Sequence, residues 1–296
     1  MHALITGGTG FIGQALIPEL IAAGWRLTVL TRDPIAAHRR LPAAVRCVAT
    51  LDAAPQAVDA VVNLAGESLA AGRWNARRKQ MFHDSRVGLT ETLVQWMGQQ
   101  PEPPAVLVSA SAVGFYGAQG NTLLDETAAP VNEYQHRLCD AWEAAARQAE
   151  ALGTRVVRLR IGVVLDADGG ALQAMLPPFR FGLGGWLGEG HQWMSWIHRK
   201  DLIALIQLAL SDPQLSGAVN AVAPTPVTNR HFSRALGHAL HRPVFLPIPA
   251  WALRLLVGEM AHLLLTGQRV VPVAATEAGF DYEFDTVEAA FADIFD

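Results

Sequence analysis

Near the start of the chain, Gly7-Gly8-Thr9-Gly10-Phe11-Ile12-Gly13 sets glycines in a GxxGxxG spacing. The motif lies between the apolar run 2–6 and a stretch, 11–24, whose apolar residues recur at helical spacing. The chemistry this suits is phosphate binding. A helix N-terminus carries free N–H groups and positive partial charge, and nothing bulky then blocks an approaching pyrophosphate. In this reading Gly7 permits the tight turn, Gly10 the close phosphate approach, and Gly13 the packing of helix on strand. Thr9, Phe11 and Ile12 belong to the same cradle.

The next strand selects the guest. Sites for NAD usually place an acidic residue about 20 residues further on to hold the ribose hydroxyls, whereas NADP sites offer a cation to the 2′-phosphate. Here "LTVLTRDP" ends its strand on Thr31 and Arg32, with Asp33 one step further into the turn. Arginine makes charge-assisted, bidentate bonds to phosphate, so NADP(H) is the expected cofactor. The alternative is a solvated loop arginine. "DAVVNLAG" (59–66) then brings Leu64, Ala65, Gly66 and the following Glu67 towards the ribose and pyrophosphate.

Candidate reacting groups gather at later strand ends and loops. In "LVSASAVGFYG" (107–117), Ser109 and Ser111 stand at the C-terminal end of a strand, where α/β proteins bind ligands. Tyr116 is a candidate acid; packing within the loop is its other reading. Arg73 and Trp74, with His191, Trp193 and Trp196 in "HQWMSWIH", suit the wall of a flat or cyclic substrate, or alternatively a hydrophobic interface. No GxSxG elbow is present, and neither Cys47 nor Cys139 has an evident base. The histidines lack metal-ligand spacing with a third ligand, so no metal is expected.

These residues need a frame. Candidate strands at 2–6, 26–31, 45–49, 59–65, 105–111 and 154–165 alternate with helical patterns at 11–24, 76–98 and 134–152. Such alternation predicts an α/β fold with a doubly wound parallel sheet and right-handed crossovers. After residue 165 the texture changes: a Gly/Pro-rich loop (176–192), a strand (193–198), a helix (199–210) and a strand (217–222) precede a mostly helical end. The expected division is a dinucleotide-binding domain of 1–165 and 192–222, with a smaller substrate lobe of 166–191 and 223–296. The 296 residues are about half hydrophobic with a formal net charge of −4 and no basic block, which argues against a nucleic-acid partner. The most apolar late segment, "WALRLLVGEMAHLLL" (251–265), is shorter than the ~20 residues that span a bilayer and is interrupted by charges. It reads as a buried or amphipathic helix. With no signal peptide evident, a cytoplasmic protein with a small-molecule substrate is expected; a homodimer stays open.

With "ITGGTGFIG", "VNLAG", "VSASAVGFYG" and "WIHRKDL" in view, the chain resembles the atypical extended short-chain dehydrogenase/reductases. More narrowly it is similar to the YfcH-like proteins of the NAD-dependent epimerase/dehydratase family. "NLAGESLAAGRW", "RIGVVLDADGGAL", "MLPPFRFGLGG" and "LLLTGQRVVP" extend the resemblance over essentially the whole chain. It implies a Rossmann domain with a small C-terminal lobe closing over a substrate cleft, and a catalytic Ser best matched by Ser111. The family's usual YxxxK pair, in which Lys tunes Tyr, is missing: "NEYQHRLCDAWE" sets Glu133 four residues before Arg137. Arg137 keeps a ribose-binding role in this comparison, but arginine does not titrate near neutrality. Two functions follow: an NADP(H)-dependent oxidoreductase or epimerase-like enzyme for a small polar substrate, or a non-catalytic NADP(H)-binding sensor. The aromatic loop at 191–198 favours the first and the absent YxxxK the second.

Overall fold

The computed structural model describes residues 1–295. Among them, seven parallel strands form one sheet. In chain order these are β1 (His2–Thr6), β2 (Arg26–Leu30), β3 (Arg46–Val48), β4 (Ala60–Asn63), β5 (Val106–Ala112), Arg155–Ile161 and Gly217–Ala221. Across the sheet the order is Gly217–Ala221, Arg155–Ile161, β5, β4, β1, β2, β3. The direction of strand addition reverses at β1, so a crevice opens beyond the carboxyl ends of β1 and β4. Most of the strands read as apolar runs because both faces are covered, Arg155–Ile161 with its three arginines being the exception. Helices Phe11–Ala22 and Arg199–Ser211 bury Leu16, Ile17, Leu202 and Ile206 on one face. Helix Leu89–Gly98 buries Leu93 and Met97 on the other.

Three apolar runs divide where they were expected to continue. The run 154–165 leaves the sheet at Gly162, where a Cβ would stand 2.6 Å from the Ser195 carbonyl oxygen. Beyond it Val163–Leu165 pairs with Trp196–His198. The stretch 193–198 likewise splits at Ser195: Trp193–Met194 turns to pair antiparallel with Val227–Thr228. Segment 251–265 is not one buried helix but two, Ala250–Val257 and Ala261–Leu265, separated by a turn at Gly258–Met260. Trp251, Leu255 and Leu256 point outwards. Among the described residues no helix is long and apolar enough to cross a membrane.

A second core gathers Leu172, Leu176, Phe179, Trp196, Phe232, Phe284 and Phe291 around the C-terminal helix Val287–Phe295. His198 is buried against this core. Its ring stacks 4.0 Å from Phe284, Nδ1 accepts from the Lys200 amide, and Nε2 lies 3.4 Å from an Asp293 carboxylate oxygen. Burial pushes its pKa down to about 4, with Asp293 opposing only in part. The unfolded chain therefore takes up a proton between pH 6.5 and about 4 that the folded protein refuses. The contribution is complete above pH 6.5 and is lost as pH falls through that window. The wild-type melting temperature should fall more steeply there than that of His198→Asn, which keeps a capping acceptor; parallel curves by circular dichroism would refute this.

Candidate active site

The glycine turn is built by contact between main chains. Gly7 has φ +70°, and a Cβ there would stand 2.6 Å from the Leu64 carbonyl group at the end of β4. A Cβ on Gly13 would collide with the Gly7 carbonyl oxygen and with Gly8. Helix Phe11–Ala22 therefore seats directly on β1. Its N-cap is Gly10, with no side-chain cap and no acidic residue in the first turn. The exposed N–H groups and the space left by absent side chains fit a phosphate.

A cleft of about 930 Å³ runs from this turn. Its walls include Thr6, Gly7, Thr9, Gly10, Thr31, Arg32, Leu64, Ala65, Gly66 and Glu67. Phe11 and Ile12, expected in the cradle, lie outside the cleft lining: the Phe11 ring lies against Gly169 and Gly170, and Ile12 packs on the core. Arg32 is exposed at the rim of the cleft. Asp33 is turned away, because its carboxylate accepts the Ala36 amide at 2.9 Å and caps helix Pro34–His38. The one acidic residue at the β2 tip is thus spent on the turn. Sequence reasoning missed Thr50, Leu51, Asp52, Thr92 and Gln95, which complete the wall near Arg32. Their only signal is position, just after β3 and along the helix that follows β4.

Below the cleft a buried polar chain holds the strand ends together. Thr6 donates to Asn63 Oδ1 at 2.7 Å and accepts the Ala65 amide at 3.2 Å. Asn63 donates to Thr90 at 2.8 Å and to Ser109 at 3.3 Å. Ser109 is buried beneath the cleft and lies outside its lining.

The expected reacting groups are placed otherwise. Ser111 donates to Glu143 Oε1 at 2.8 Å, and Glu143 is 2% exposed. That carboxylate also accepts from Arg160 Nε (2.9 Å) and Nη2 (3.1 Å) and from Arg158 (3.1 Å). Tyr116 is fully buried: its hydroxyl donates to Asn220 at 2.7 Å and accepts from Arg160 at 2.9 Å. Burial pushes its pKa up to about 12. Both hydroxyls are therefore committed inside the protein, which corrects the expectation that they face a substrate. Arg137 is exposed and donates to Asn132 at 3.0 Å, away from the cleft walls. Cys139 is buried and its thiol is pushed up to about 12, as expected of an inert core cysteine.

The aromatic candidates divide. Trp74 and Trp196 are core residues, since each is buried with its indole N–H satisfied, by the Leu69 and Thr225 carbonyls respectively. Neither leaves a face for a substrate, which corrects that expectation. Trp193 is half-buried, donates to Asn121, and carries the Arg269 guanidinium 4.4 Å above its ring. His191 is exposed beside Glu189. Arg73 reaches the C-terminal lobe, donating to the Leu255 carbonyl at 2.8 Å. Among the described residues no three His, Cys, Asp or Glu side chains gather as a metal site.

Comparison with known proteins gives a consistent picture. Residues 3–222 match the NAD dependent epimerase/dehydratase family, and residues 248–294 match a domain of unknown function, DUF1731. The chain is 40% identical over 298 residues to the chloroplastic epimerase family protein SDR39U1 homolog of Arabidopsis thaliana, covering 98% of this chain and 85% of that one. It is 34% identical over 299 residues to epimerase family protein YfhF of Bacillus subtilis, covering 99% and 98%. Among solved structures, human epimerase family protein SDR39U1 with NADPH superposes with a TM-score of 0.90 at 35% identity, covering 99% of each chain. A UDP-galactose 4-epimerase shares the fold, with a TM-score of 0.75 at 17% identity over 99% of this chain and 97% of that one.

Breaking the buried charge cluster should be severe. Glu143→Ala leaves Arg158 and Arg160 without their carboxylate and should cost about 3–5 kcal/mol, read from urea unfolding. A loss below about 1 kcal/mol would mean that water replaces the carboxylate.

Proposed function

Because the chain belongs to the NAD dependent epimerase/dehydratase family, we propose that its cleft holds NADP(H) and that it acts as an oxidoreductase or epimerase on a small polar substrate. The observation that carries the cofactor reading is the β2 tip, where Arg32 stands free at the cleft rim while Asp33 is withdrawn into a helix cap. The solved human relative, which carries NADPH, supports the same choice. Gly7, Gly10 and the start of helix Phe11–Ala22 would take the diphosphate, Thr31 and Arg32 the 2′-phosphate end, and Leu64–Glu67 the wall beyond. A nicotinamide cofactor supplies hydride exchange at its ring when bound. The chain's own residues bind and orient it; Arg73, His191 and Trp193, which stay at least partly open to solvent, are the remaining candidates for substrate contact.

One observation favours a second reading, a non-catalytic NADP(H)-binding sensor. Ser111 and Tyr116, the hydroxyls that would serve a proton relay, are both engaged by buried charges. Titration with NADPH followed by nicotinamide fluorescence, then a screen of carbonyl metabolites for cofactor oxidation, separates the two. Binding with turnover supports the enzyme, and binding without turnover across the screen supports the sensor. Arg32→Ala should weaken NADPH by about 1.5–3 kcal/mol, or roughly 10- to 100-fold in Kd, and leave NADH within about threefold. An equal loss for both cofactors would remove the argument for NADP(H).

A further inference from the structure

The helical stretch after β4 is not continuous. Helices Ala76–His83 and Leu89–Gly98 are joined by a π-helical turn, Asp84–Gly88. Such turns are rare and carry one extra residue, which rotates neighbouring side chains off the regular helical faces. Here two consecutive residues converge on the backbone of a single residue, Glu67, at the cleft wall. Ser85 Oγ accepts the Glu67 amide at 3.0 Å and donates to the Phe82 carbonyl at 3.2 Å. Arg86 Nη2 donates to the Glu67 carbonyl at 3.0 Å. Both backbone groups of Glu67 are thus held by consecutive side chains of one turn.

Arg86 is an unusual occupant. Its guanidinium is largely buried, lies 5.3 Å from the Trp142 ring centroid, and would stand 3.1 Å from a Cβ on Gly66. Among the described residues it has no carboxylate partner; the Glu67 carboxylate pairs instead with Arg78 at 3.1 Å. Its other bond is a long one, 3.5 Å, to the Phe82 carbonyl. The turn itself is fixed, because the Arg86 carbonyl accepts from Thr90 Oγ1 at 2.6 Å, and Thr90 accepts from Asn63 and Trp142. A buried cation satisfied only by carbonyl oxygens is costly. Glu67 is the residue at which the cleft wall passes from the β4 tip towards the lobe.

We propose that Ser85 and Arg86 are positioning residues: their π-turn clamps Gly66–Glu67 in the shape that the nicotinamide half of the cofactor requires. This rests on the cofactor reading above. The side chains of Ser85 and Arg86 bond to the Glu67 and Phe82 backbone and not to Arg32 or Thr50–Asp52, where the adenosine half would lie.

The test compares NADPH with 2′,5′-ADP, which carries only the adenosine half. Arg86→Gln and Arg86→Lys should each raise the NADPH Kd at least about tenfold while moving 2′,5′-ADP less than about threefold. Lysine keeps the charge but loses the planar fork, so its failure to rescue marks geometry as the cause. Ser85→Ala, the milder variant, should show the same split at smaller size. Hydrogen exchange without nucleotide should show the Glu67 amide protected in the wild type and released in Ser85→Ala. An unchanged NADPH affinity, an equal loss of 2′,5′-ADP, or an unprotected Glu67 amide in the wild type would each overturn the clamp. Wild-type protein that binds neither nucleotide would overturn the cofactor reading itself, a result separate from any variant's behaviour.

Discussion

The arrangement depends on one steric constraint: the main chains of the β1 turn, the helix that follows and the β4 tip touch. Gly7 abuts the Leu64 carbonyl and Gly13 abuts the Gly7 carbonyl, leaving no room for a Cβ at either position. Contact at this range lets only backbone atoms face the crevice, so the phosphate site is made of N–H groups and helix polarity rather than of charged side chains. The Thr6–Asn63 hydrogen bond locks the two strand tips in register and aims the Ala65 amide. The positions of the Leu64–Glu67 wall, of the π-turn behind it and of the Thr31–Arg32 rim all follow from that contact.

A different economy rules the neighbouring strands. The ends of β5 and Arg155–Ile161 surround a buried carboxylate, Glu143, gripped by two arginines and a serine. A buried charge cluster of this kind adds little net stability over an apolar packing of the same volume, yet it is severe to break, because each survivor is left charged and dry. Its effect is geometric. It pins helix Tyr134–Arg147 to the sheet and takes up the Ser111 hydroxyl; through Arg160 it also holds Tyr116, whose pKa near 12 keeps the phenol neutral. The strand ends where Ser111 and Tyr116 were expected to meet a substrate are here a buried ionic cluster.

Much of the frame was legible in the residues, and the illegible parts share a cause. Alternating apolar strands and helices, the glycine spacing and the Thr31–Arg32 tip are local signals, and each stands at its expected place in the sheet or the cleft. The failures required knowledge of distant partners. Nothing in "VSASA" reveals that Ser111 will meet Glu143 thirty-two residues later. The run 154–165 reads as one continuous β-rich stretch, and only the approach of Ser195 to Gly162 breaks it. Trp193 and Trp196 look equivalent in "WMSWIH", but the split at Ser195 leaves one half-buried beside Asn121 and Arg269 and sends the other to the second core. Arg86 reads as one more charge on a helix face, because a π-turn has no reliable sequence signature and rotates precisely those residues that periodicity would leave in solvent.

The two ends of the crevice are held by contacts of different strength. The adenosine end rests on the sheet and on the buried Thr6–Asn63–Thr90 chain. The far end meets the lobe through apolar packing of Met260 and Leu263 on the Trp74–Phe82–Trp142 cluster and through exposed polar contacts: Arg73 to the Leu255 carbonyl, Lys79 to Glu259, and His262 to Glu133. Exposed pairs of this kind are worth at most about 1 kcal/mol each and weaken with salt. The buried chain, by contrast, cannot open without stranding polar groups away from water. The β1–β4 side of the crevice is therefore preorganised by the fold, while the exposed pairs add little to the hold of the lobe beyond its apolar packing.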